Sequence, residues 1–193
     1  MERRPNTASQ QTKQALAAAL KELMAQKPIE NITIHDLTEH CGIRRQTFYY
    51  HFQDIMEVIE WSMERATQKM LARSLETESP EYAIGVLISA AMENRTLIRR
   101  LLASQKREQI EKVFVQAVRT YLQNLIRNKA NGLALYYSDM ELALDFWAFG
   151  ISGLLFKYCE QEQVDVKSMA QQICRLLPEK IDSKEDVSYS NAN

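Results

Sequence analysis

The chain has 193 residues, 46% of them apolar, with a formal net charge of −1. That composition supplies a sizeable core and excludes wholesale disorder, and the near-neutral charge excludes a generic polyanion binder. Only five glycines and four prolines are present, too little turn chemistry for many strands, so an all-α fold of long helices is expected.

The first periodic segment runs from about Ser9 to Gln26, with Ala15, Leu16, Ala19, Leu20, Leu23 and Met24 on one stripe. Thr7 or Ser9 can cap its start, and Pro28 lies just past its end. Thr33-x-x-Asp36 then resembles a capping box ahead of a short helix, Ile34 to about His40. Gly42 supplies the left-handed conformation of a tight turn, and Ile43 anchors it. A second short helix, Arg44 to about His51, follows. Two short helices joined by a Gly turn behind a longer one are the helix-turn-helix layout, whose second helix enters the major groove.

Asp54 can cap a fourth helix, Ile55 to about Leu75. Ser79 before Pro80 starts a helix to Glu93, and others are expected over Thr96–Ala103 and Lys106–Asn131. Ser138-x-x-Glu141 reads as a capping box opening a helix to about Glu162 that is apolar nearly all round. A helix of that kind is buried on every side, most simply against a second subunit. A last helix is expected over Val166–Leu177, and the final residues lack a core pattern.

The stretch GIRRQTFYYHFQD mixes basic, amide and hydroxyl groups with a run of rings. On a helix, Phe48 and Phe52 share one face, while Arg45, Gln46, Thr47, Tyr49 and Tyr50 spread over the others. Arg forks onto guanine, Gln onto adenine, and the Thr methyl meets a thymine methyl. Tyr hydroxyls and His51 suit phosphate oxygens, which set register rather than sequence. A plain bundle core is the competing reading, and the Gly turn with the Thr33 cap weighs against it. Residues 1–60 carry seven Lys/Arg against eight Asp/Glu, so the case for nucleic acid rests on this local pattern.

TIHDLTEHCGIRRQTFYYHFQD resembles the DNA-binding signature of the TetR/AcrR family of transcriptional regulators, through Thr33, Leu37, Gly42, Ile43, Thr47, Phe48, Tyr49, Tyr50, His51 and Phe52. RRQTFYYHFQD with IEW soon after is similar to a subset related to the dihydroxyacetone-kinase operon co-activator. The resemblance implies an all-helical homodimer with a head at 1–54 and a ligand-sensing and dimerisation domain at 55–181; the patternless residues 182–193 are expected to be a disordered tail. It implies double-stranded operator DNA as partner, contacted by Thr33, His35, Arg44, Arg45, Gln46, Thr47, Tyr49, Tyr50 and His51. It also implies an effector in the C-terminal domain, or, in the co-activator subset, a protein partner there. Two departures stand out: Arg44 replaces the small capping residue usual in the family, and Ile55 replaces a usual lysine. The lost phosphate contact flattens the salt dependence by about one unit.

Trp61, Tyr82, Met92, Phe114 and Tyr121 are candidates for an effector pocket, though rings at helical spacing are more often packing. Phe146, Trp147, Phe149, Gly150, Gly153, Leu154, Ile173 and Leu177 are the expected dimer seam. Gly150 and Gly153 cost helix stability relative to Ala, which close helix–helix approach would explain. The basic cluster Arg95, Arg99, Arg100, Lys106 and Arg107 reads as a solvated face ahead of an anion site. All three histidines lie in the head, but His35 and His40 are badly spaced for one face, so neither metal nor cofactor is expected. Three widely spaced cysteines predict reduced thiols. No nucleophile–base pair or phosphate loop marks an enzyme. Leu142–Phe156 is broken by Asp145 and short for a membrane span, and a cytoplasmic location is expected.

Overall fold

The computed structural model describes residues 7–129 and 137–176. Among the described residues there are nine α-helices, one short 3-10 turn at Ile29–Asn31, and no strand. In chain order they are α1 Thr7–Gln26, α2 Ile34–His40, α3 Arg45–His51, α4 Ile55–Ser74, α5 Pro80–Glu93, α6 Arg95–Leu102, α7 Arg107–Lys129, α8 Tyr137–Cys159 and α9 Val166–Leu176.

Two hydrophobic clusters divide these helices. The first seals α1, α2 and α3 around Leu16, Leu20, Leu37, Phe48 and Phe52, and takes in Met56, Val58 and Ile59 from the start of α4. The second holds α5, α7, α8 and α9 around Ile88, Tyr121, Leu144, Leu155 and Ile173. Met63 on α4 and Leu102 on α6 border both clusters, so α4 runs from one into the other.

Side-chain caps fix several helix starts. Asp54 accepts from the Glu57 amide at 2.9 Å and Ser79 from the Tyr82 amide at 3.1 Å, with Pro80 at the first turn. One expected start is corrected. Ser138 lies inside α8, which is already helical at Tyr137. Glu141 instead pairs with Arg119 on α7, whose Nε also donates to Asp145 at 2.6 Å. Ser9 likewise sits within α1 rather than ahead of it. Leu177 and the expected tail at 182–193 lie outside the described residues.

Tyr121 is wholly buried, with its hydroxyl 2.6 Å from Ser74 Oγ and donating to the Ala83 carbonyl at 2.7 Å. Burial pushes this phenol up to about 12. The contact ties α4, α5 and α7 together in the core. Tyr121→Phe leaves the Ala83 carbonyl without that donor, so urea denaturation should show a loss of about 1–3 kcal/mol.

The buried side of α8 carries Leu144, Ala148, Ile151, Leu155 and Cys159. The opposite side is open: Leu142, Phe146 (73% exposed) and Phe149 (66% exposed) form one stripe with Gly150 and Gly153. Within one protomer α8 is thus buried on one side only, and the expected burial of the other side calls for a second subunit. Composition alone would let Met140–Cys159 cross a bilayer, yet this segment holds Glu141 and Asp145 against Arg119 and packs its other side into the core.

Candidate nucleic-acid interface

The head's geometry starts at Thr33. Its Oγ1 accepts from the Asp36 amide at 3.1 Å, and its amide donates to Asp36 Oδ2 at 2.7 Å, a reciprocal capping box for α2. Lys27 reaches the same carboxylate at 2.9 Å. The Thr33 amide, then Lys27 and the Thr33 hydroxyl, hold Asp36 well below the usual carboxylate range. This carboxylate is therefore ionised and paired within the head.

Gly42 ends α2 at φ +63°. Its amide donates to Glu39 O at 3.1 Å and the Ile43 amide to Thr38 O at 2.9 Å, the paired bonds of a Schellman turn. An added Cβ would meet nothing within 4 Å, so the demand for glycine is conformational and not steric. Gly42→Ala should lower stability by about 1–2 kcal/mol in chemical denaturation, the cost of a left-handed L-residue.

From that turn α3 starts at Arg45, with Arg44 in the N-cap position and making no side-chain cap bond. Arg44 thus leaves unfilled the capping role that a small polar residue there would serve. Phe48 and Phe52 are buried, with ring centroids 6.1 Å apart, and Phe52 meets Trp61 edge-on at 6.1 Å. Burying each ring contributes roughly 1.5–3 kcal/mol. Arg44, Arg45 and Gln46 are exposed, as are Tyr49 at 52% and Tyr50 at 81%. Gln46 and Tyr50 lie opposite buried Phe48 and exposed Arg45 and Tyr49 border them, so the four form one polar and aromatic surface.

The other expected contact residues are less uniform. Thr33 at the N-cap of α2 and His35 in its first turn are exposed, while Thr47 and His51 are only half-exposed. His51 Nδ1 lies 3.5 Å from Ser9 Oγ. Burial, and secondarily Lys13, lowers its pKa, so the ring is neutral at neutral pH and offers a hydrogen bond rather than a charge. His35 stands 3.8 Å from Glu39, and His40 is 2.9 Å from Glu22.

The candidate pocket residues separate. A cavity of about 640 Å³ between α1, α4, α5, α6 and α7 is lined by Trp61 and Phe114, among others, but not by Tyr82, Met92 or Tyr121. Tyr82 is exposed and Tyr121 is committed to the core bonds above. Of the expected seam, Phe146, Phe149, Gly150 and Gly153 are exposed, Trp147 and Leu154 are half-buried, and Ile173 is spent in the protomer core.

Sequence reasoning missed how the head is fastened. Arg100 Nη1 donates to Met24 O at 2.7 Å and Ala25 O at 2.6 Å, capping the C-terminal end of α1. Arg95 donates to the Gln161 and Glu162 carbonyls beyond α8. Arg100 is thus a helix-end donor for α1, and Arg95 a donor to the turn that follows α8. Only their position in a run of arginines was visible in the sequence.

A capped two-helix pivot with one polar flank, mounted on a larger helical body, defines a helix-turn-helix regulator. Residues 15–60 match the family model of bacterial regulatory proteins of the tetR family, and residues 78–179 match the transcriptional regulator C-terminal region of TetR type. The chain belongs to the TetR family of transcriptional regulators, which are not enzymes. It is 24% identical over 130 residues to the HTH-type dhaKLM operon transcriptional activator DhaS of Lactococcus lactis, covering 67% of this chain and 68% of that protein. The solved structure of the dihydroxyacetone kinase operon activator DhaS shares its fold at a TM-score of 0.63 and 20% identity, covering 86% of this chain and 93% of that one. Lin0861 from Listeria innocua does so at 0.69 and 21%, covering 92% and 97%.

Proposed function

We propose that the protein is a sequence-specific, cytoplasmic DNA-binding regulator that acts as a homodimer on a palindromic operator. The exposed Arg45, Gln46, Tyr49 and Tyr50 flank, backed by buried Phe48, is the observation that carries this reading. Residues 1–54 act as the reading head and 55–181 as the sensing and dimerisation domain, whose effector alters operator affinity by favouring one head spacing.

The second copy docks on the open face of α8. Gly150 and Gly153 have no neighbour within 4 Å of an added Cβ, so packing within the protomer gives no reason for them. Each costs about 1 kcal/mol of helix stability relative to Ala, and close approach of the partner's α8 supplies the reason.

Selection of bound DNA from a random pool, at stated salt, tests the reading. An inverted repeat with half-sites about one helical turn apart, or a multiple of it, is expected. A pool that gains no repeated sequence contradicts it. A second reading, in which the core domain takes a protein partner, is favoured by the likeness to the activator DhaS. Native mass spectrometry showing a protein bound to an otherwise empty dimer would support it.

A further inference from the structure

The 640 Å³ cavity has an asymmetric wall. Its floor is apolar, formed by Met63, Ile98, Phe114 and Val118, and its volume suits a small molecule. Its charged lining residues are Lys21 from α1 with Arg65 and Lys69 from α4, and no Asp or Glu lines it. Among the described residues none of these three cations pairs with a carboxylate. Lys21 donates to the neutral Asn94 Oδ1 at 3.0 Å and Arg65 to the neutral Gln68 Oε1 at 3.3 Å. Lys21 and Lys69 are exposed, so the positive charge sits at the open end.

We propose that this cavity binds an anionic amphiphile, its apolar body on the floor and its carboxylate or phosphate against Lys21, Arg65 and Lys69. Apolar area drives entry, and three cations without carboxylate partners, Arg65 resting over the Trp61 ring, select the sign of the head group. The occupant touches α1 of the reading head and the core at once. An anion that draws Lys21 from Asn94 removes one head–core link, leaving Arg100 on the end of α1 and the Gln105 amide on Glu30 at 2.7 Å. Occupancy thereby changes operator affinity. This consequence rests on the regulator reading above; binding itself does not.

Calorimetric titration of the full chain without DNA tests the binding. Decanoate, decyl phosphate and decyltrimethylammonium share a tail and differ in head group. One anion per protomer is expected, with the cation at least about tenfold weaker. The tighter of the two anions identifies the head group. Lys21→Met with Lys69→Met, both exposed, should weaken the anion at least about tenfold and spare the cation. Ala117→Phe, in the cavity wall, should abolish binding. Equal affinity for the cation, or full binding by Ala117→Phe, overturns the proposal. If that variant misfolds, the head-group comparison and the lysine variant still decide. Decanoate should then shift the operator Kd by at least about fivefold, and less so in Lys21→Met. No heat with either anion, alongside a successful operator selection, sinks this site and leaves the regulator. Binding with no enriched DNA does the reverse.

Discussion

Arg45→Ala combined with Tyr49→Phe should lower operator affinity at least about a hundredfold, read by fluorescence anisotropy at fixed salt on a selected operator. An arginine forked onto a base contributes about 1–3 kcal/mol of discrimination, and a dimer presents it twice. A factor of ten corresponds to about 1.4 kcal/mol, so the arginine alone spans most of the effect. The lost tyrosine hydroxyls add register-setting phosphate bonds. Neither change should unfold the head. Arg45 is exposed, and the edge contact between the Phe48 and Tyr49 rings, with centroids 5.6 Å apart, survives in the Phe variant. Thermal unfolding should therefore match the parent. Undiminished affinity would remove α3 from the groove.

The head was the most legible part of the chain because its constraints are local. Thr33 and Asp36 are three residues apart and cap one another, and Gly42 alone carries the positive φ between α2 and α3. Phe48 and Phe52 follow from helical spacing and are buried as expected. The bounds of α2 and α5 match the sequence expectation to the residue. What stayed hidden depends on contacts distant in sequence. Arg100 reaches Met24 across 76 positions and Lys21 reaches Asn94 across 73, and no periodicity links such pairs. Tyr121 illustrates a different limit. A pocket ring and a core ring have the same spacing and the same composition, and only its bonds to Ser74 and Ala83 separate them. The Ser138 box misled because a capping pattern inside a helix is indistinguishable from one at its start. For α8, the protomer core and a subunit seam both select apolar side chains, so the sequence could not divide its two faces.

That ambiguity makes the open face of α8 the place for the most severe single change. Phe146→Glu should convert the dimer to a monomer in sedimentation equilibrium and lower operator affinity by about a hundredfold or more, since linked heads gain 10²–10⁴ over either alone. In a two-fold seam the same patch meets itself, so each substitution acts twice. In the proposed seam, two phenylalanines that the partner would cover are lost and two charges face an apolar surface, where an unpaired carboxylate is strongly disfavoured. The protomer itself should keep its helicity and its cooperative melt, because Phe146 is 73% exposed and glutamate is a good helix former. Gly150→Leu supplies the uncharged counterpart. Its side chain enters open space in the protomer, so it should raise helix propensity there while blocking close approach of the partner. If both variants remain dimeric with parental operator affinity, the two copies meet elsewhere, and the exposed phenylalanines and glycines require a different occupant.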